Sequence, residues 1–126
     1  MGQQQLLLIV LGLIIVAVAI AFSISLFRQA AINSKRDLII NENNNLADMA
    51  MKYYQKSKSL GGGGYSFMGW SIPSNMSLTA SGTHQATVYS DSVVIIGTGN
   101  EVVTGTDSVK ARTTVFPDSI YTDIIN

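Results

Sequence analysis

The sequence has no cysteine. That excludes disulfides, thiolate metal sites and cysteine nucleophiles. Proline occurs only at Pro73 and Pro117, so nothing of that kind interrupts the first half of the chain. Charge is scarce: 13% of residues are charged, where about a quarter is usual. Eight basic residues balance eight acidic ones. A chain without a basic excess lacks the face that would displace counterions from phosphates, so no nucleic-acid partner is expected. His84 is the single histidine and has no acidic neighbour in sequence, which reads as a turn or surface residue. There is no Gly-x-Ser-x-Gly elbow, no EF-hand spacing and no Lys-Ser/Thr after the glycine run. No cofactor, no metal and no enzymatic activity are therefore expected.

The scarcity of charge is local. From Gly2 to Phe27 there is no charged side chain at all. The apolar run Leu6–Phe27 is long enough as a helix, at about 33 Å, to span the hydrocarbon core of a bilayer. A cleaved secretory signal would carry a basic start, a shorter apolar stretch and an Ala-x-Ala site. A plain single-span anchor is a second reading, with Arg28, Lys35 and Arg36 flanking it on one side. A buried helix of a soluble globule would need more protein around it than the rest of this chain supplies.

Helical patterning continues beyond Phe27. Ile32, Ile39, Leu46 and Tyr53 recur every seven residues, and Leu38, Met49 and Ala50 widen the stripe. Lys52, Lys56 and Lys58 suit the negative pole of a helix end, and Gly61 suits a stop. The spacing predicts one helix over about 3–59, apolar all round over 6–27 and amphipathic over 28–59, with Asn43–Asn45 the poorest helix formers in it. The glycine run places a linker at 60–65 and a head at 66–126.

The head is rich in Val, Ile and Thr with turn residues between runs. Strands are expected near Met76–Ala80, Gln85–Tyr89, Val93–Ile96, Glu101–Thr104 and Val109–Phe116, with turns at Ser90-Asp91, Gly97–Asn100 and Gly105–Ser108. Connections this short make an antiparallel meander. The fold class is α+β: one long N-terminal helix and a small C-terminal antiparallel sheet. Such a head needs an apolar partner, and the helix stripe of Ile39, Leu46, Met49 and Tyr53 supplies one. Phe67, Trp70, Phe116 and Tyr121 are expected to fill the join. The apolar tail ending in Ile124 and Ile125 docks either on the head or on a neighbouring copy.

A charge-free apolar helix running unbroken into an amphipathic half and a small β-rich head resembles the type IV pilin and pseudopilin family. The resemblance covers the layout of the whole chain, while its motif content lies within about the first 27 residues. It implies a homopolymer: apolar helices wait in the cytoplasmic (inner) membrane, then pack at the axis of an extracellular helical filament with the heads outside. It assigns Gln5, Leu6, Leu11, Gly12, Val16, Ala19, Phe22 and Phe27 to the helix bundle. The small residues Gly12, Ala17, Ala19, Ala21, Ser23 and Ser25 permit close helix approach. The family usually carries a Glu near the start of the run; this chain has Gln3, Gln4 and Gln5, which offer hydrogen bonds without charge pairing. A processed start at Gln3 after Gly2 and a start at Met1 both remain open. The alternatives are a minor pseudopilin and a single-span, membrane-anchored binding or adhesion domain with surface or sugar ligands.

Overall fold

The computed structural model describes residues 2–104 and 107–126. The fold is α+β. Helix α1 (Gly2–Gln55) is followed by a 3₁₀ turn at Lys58–Leu60 and a single helical turn, α2 (Ser74–Ser77). Four strands come next: β1 (Gly82–Val88), β2 (Val93–Thr104), β3 (Asp107–Val115) and β4 (Ile120–Ile124). The chain divides into two compact units, one ending at Ala31 and the other spanning Ile32–Asn126.

In the second unit the sheet is a pure meander in the order β1-β2-β3-β4, all pairs antiparallel. Alternation along β2 and β3 turns Val93, Ile95, Gly97 and Gly99, and Val109, Ala111, Thr113 and Val115, to one face. That face receives the helix stripe of Ile32, Ile39, Asn43, Leu46, Ala47 and Ala50, all buried. The main core joins Leu46, Ala47 and Ala50 to Phe67, Trp70, Val93, Ile95 and Val115.

Helix α1 closes at Gln55, short of the expected 59. Lys58, Ser59 and Leu60 form a tighter turn instead, and Gly61 caps that turn through Lys58, not the α-helix. The chain then doubles back over the helix end. The N–H groups of Gly63, Gly64 and Tyr65 donate to the carbonyls of Tyr53, Lys56 and Tyr54 at 2.8–2.9 Å. These bonds satisfy carbonyls that a helix C-terminus otherwise leaves orphaned. A side chain at Gly63 would lie 1.8 Å from the Ser66 carbonyl oxygen. The glycine run is therefore a tightly packed return rather than a loose tether.

Three expectations about the strands are corrected. Met76–Ala80 is not a strand. Pro73 starts a helical turn there, its carbonyl accepting from Met76 and Ser77, and only Leu78 makes an isolated bridge, to Thr83. Val93–Ile96 and Glu101–Thr104 are one strand, β2, with register shifts after Thr98. The residues Gly97–Asn100 are not a turn but its middle. A Cβ on Gly97 would come within 2.6 Å of Ile39 Cγ2 and 2.7 Å of Asn43 Oδ1. The glycine there serves close passage of the helix over the sheet. Of the expected Gly105–Ser108 turn, Gly105 and Thr106 lie outside the described residues, and Asp107 and Ser108 begin β3.

The apolar tail pairs as β4 with β3. Phe67 and Trp70 are buried as expected, but Phe116 and Tyr121 are 41% and 61% exposed and do not fill the join. Tyr121 opposes Thr114, on the face turned from the helix, and Phe116 lies in the β3–β4 turn.

Gly97→Val is expected to destabilise the Ile32–Asn126 unit by about 1–3 kcal/mol through overpacking against Ile39 and Asn43. Denaturant unfolding of the full chain in detergent, followed by Trp70 fluorescence, measures this; an unchanged midpoint would refute the close-approach role.

Candidate functional site

Two features of the chain stand apart from ordinary core packing. The first is the surface of α1 over residues 6–27. Every large apolar side chain there is open, from 50% at Val18 to 75% at Phe27. Leu6, Leu11, Val16, Phe22 and Phe27 thus lie bare on the helix, as do Gln5 and Ala19, and a Cβ on Gly12 would meet nothing within 4 Å. The run is long and apolar enough to cross a membrane. Its few polar groups are quiet: Ser23 returns its hydroxyl to the Ala19 carbonyl at 2.9 Å, which removes a donor from an otherwise greasy surface.

The residues expected to pack the helix on the head divide by depth. Ile39 and Leu46 are fully buried, Tyr53 is half-buried with its hydroxyl donating to the Met68 carbonyl, and Met49 lies at the rim, 39% exposed.

The second feature is a polar cluster set into the helix–sheet seam. Glu42 and Asn43 come from α1, Thr79 from the segment before β1, and His84 from β1. His84 is buried, not a turn or surface residue. Its Nδ1 lies 2.7 Å from Asn43 Oδ1 and its Nε2 lies 2.5 Å from Glu42 Oε2. Thr79 donates to the same carboxylate oxygen at 3.0 Å. Asn43 Nδ2 donates to the Ala111 carbonyl at 3.1 Å. That last bond fixes the amide: its oxygen is the atom left for His84, and it can only accept. Both imidazole nitrogens therefore face side-chain oxygens. One asparagine thus ties α1 to β1 and β3 together.

Burial pushes the Glu42 carboxyl upward, but hydrogen bonds from His84, Thr79 and Ser81 and the charge of His84 outweigh it and hold the group below the ordinary value of 4.5. Both ring nitrogens of His84 are engaged within the seam. The chemistry of the cluster is that of a clamp. Among the described residues no three His, Asp or Glu side chains converge as a metal would require.

Sequence reasoning missed this cluster. One signal was available: Asn43 sits four residues after Ile39 and three before Leu46, on the buried stripe itself. An asparagine at such a position asks for a polar partner from the facing sheet.

No protein-family model, no curated protein and no solved structure matches the chain.

Because the Glu42 pKa is depressed on folding, its contribution to stability is present above the unfolded value of 4.5 and is lost as pH falls through the folded value. Glu42→Gln is expected to flatten the pH dependence of the unfolding midpoint below about pH 4.5 and to cost about 1–3 kcal/mol at pH 7. Parallel acid titrations of the two proteins check it; identical slopes would exclude the clamp.

Proposed function

We propose that the chain is the structural subunit of an extracellular, type IV pilin-like helical filament. One observation carries the reading. The unit Ile32–Asn126 completes its own core with the stripe Ile32–Ala50, yet the apolar residues 6–27 find no cover on any side. Each large apolar side chain withdrawn from water contributes about 1.5–3 kcal/mol, so the uncovered run amounts to tens of kcal/mol in gross terms. Water is not its medium. Lipid meets the need before assembly, because a helix satisfies its own backbone bonds. Neighbouring copies meet it afterwards, with the small residues Gly12, Ala17, Ala19 and Ala21 letting helices approach.

In this reading the subunit works by polymerising. The helices of many copies form the axis, and the β heads form the sheath that faces water. The polar clamp at Glu42, Asn43 and His84 then holds each head in fixed register on its own helix, so that the order of the axis is passed to the surface. The chain acts as a building element without catalysis, and its place changes from the cytoplasmic membrane to the cell exterior on assembly.

The test is to express the full chain in a host with a filament-assembly system, shear the cells and image the released fraction. Fibres containing this chain are expected, and Val16→Lys is expected to abolish them while its head still unfolds cooperatively. Retention of all the protein in the membrane fraction, with no fibres, would support a single-span anchored domain instead.

A further inference from the structure

The last turn of α1 and the turn beyond it carry Lys52, Lys56 and Lys58, all exposed. The ion pairs among the described residues are Glu42–His84 and Arg112–Asp123, so none of these lysines meets a carboxylate of its own chain. Beneath Lys52 and Lys56 lies an open groove of about 320 Å³, floored by Met49, Tyr53 and Trp70. The floor is fixed in place. Tyr53 is held by its 2.8 Å bond to the Met68 carbonyl, and Trp70 belongs to the core. An apolar, aromatic floor under two unpaired cations suits a segment that carries an aromatic ring next to a carboxylate.

The chain has such a segment. The β3–β4 hairpin turns through Phe116-Pro117-Asp118-Ser119, closed by a 2.8 Å bond from the Phe116 N–H to the Ser119 carbonyl. Pro117 limits the conformations of that turn, so little order need be gained on docking. Phe116 is 41% exposed, and Asp118 is exposed with no cationic partner among the described residues.

The two patches lie toward opposite edges of one sheet. Trp70 also borders the depression along β1, with Gln85, Ala86 and Val88, whereas the hairpin belongs to β3 and β4. The register Val88↔Val93↔Val115↔Ile120 puts both at the same end of the strands. A contact between two different patches, when repeated head to tail, builds rings or open helices.

We propose that the β3–β4 hairpin tip of one copy seats in the Lys52–Lys56 groove of the next, with Asp118 facing the two lysines and Phe116 on Tyr53 and Trp70. This contact names the partner surface of the heads and rests on the filament reading.

The absence of cysteine makes the test clean. In the full chain, Lys56→Cys combined with Asp118→Cys is expected to give a ladder of disulfide-linked oligomers in the sheared fibre fraction, with each single variant giving none. Lys52→Glu with Lys56→Glu is expected to lower fibre yield by roughly two- to fivefold for each exposed ion pair lost, and adding Asp118→Lys to restore it. Fibres that form normally but give no ladder, or a double reversal that Asp118→Lys does not rescue, overturn the head contact and leave the filament reading intact. No fibres from the unaltered chain overturn both.

Discussion

The fold hangs on how closely α1 can pass over the middle of β2. The space between them at Gly97 is too narrow for a side chain, and that narrowness is what lets Ile39 and Asn43 reach the sheet. From that approach follows the rest of the seam. Asn43 reaches a β3 carbonyl, His84 is trapped between Asn43 and Glu42, and Leu46, Ala47 and Ala50 settle on Val93, Ile95 and Val115. A sheet of four short strands has too little apolar surface to stand alone. It borrows the helix, and the glycines set the terms of the loan.

The helix serves two different environments along one chain. After Ile32 most of its polar residues face outward, Glu42 and Asn43 excepted, and its apolar stripe is spent on the sheet. Before Phe27 it has no polar face to offer. This contrast, more than any single residue, gives the pilin-like reading its physical content, because it separates a surface satisfied within the molecule from one that only a surrounding medium or other copies can satisfy. The Glu42–His84 contact belongs to the first kind. A polar group set into a seam is costly unless bonded, and here each partner is held by a second group as well. Its value lies in fixing one register between helix and sheet.

Much of this was legible beforehand. The unbroken helix could be read because neither proline nor a second glycine intervenes between Gly12 and Gly61, and the seven-residue recurrence of Ile39 and Leu46 named its buried face. The alternation in Val109–Val115 named a strand. What failed has a common cause. Glycine at 97 in β2 and at 62–63 looks like punctuation in one dimension, but in three dimensions it marks places where another part of the chain passes too near for a Cβ. No local pattern distinguishes these uses. His84 was misjudged for the same reason. Its acid partner is 42 residues away in sequence, and only the docking of helix on sheet brings them together. Phe116 and Tyr121 stay outside the join because strand parity and the hairpin turn decide their side.

The meander has a consequence for the order of events as the chain is made. Each strand pairs with the one just before it, so the hairpins need only local encounters and can zip up in the sequence in which they emerge. The bond from Asn43 to Ala111 closes a loop of 68 residues and must wait for β3. Until then the amphipathic half of the rod has no lid. A newborn chain thus spends an interval with its helix formed and its apolar stripe still bare, and that interval ends only when β3 arrives.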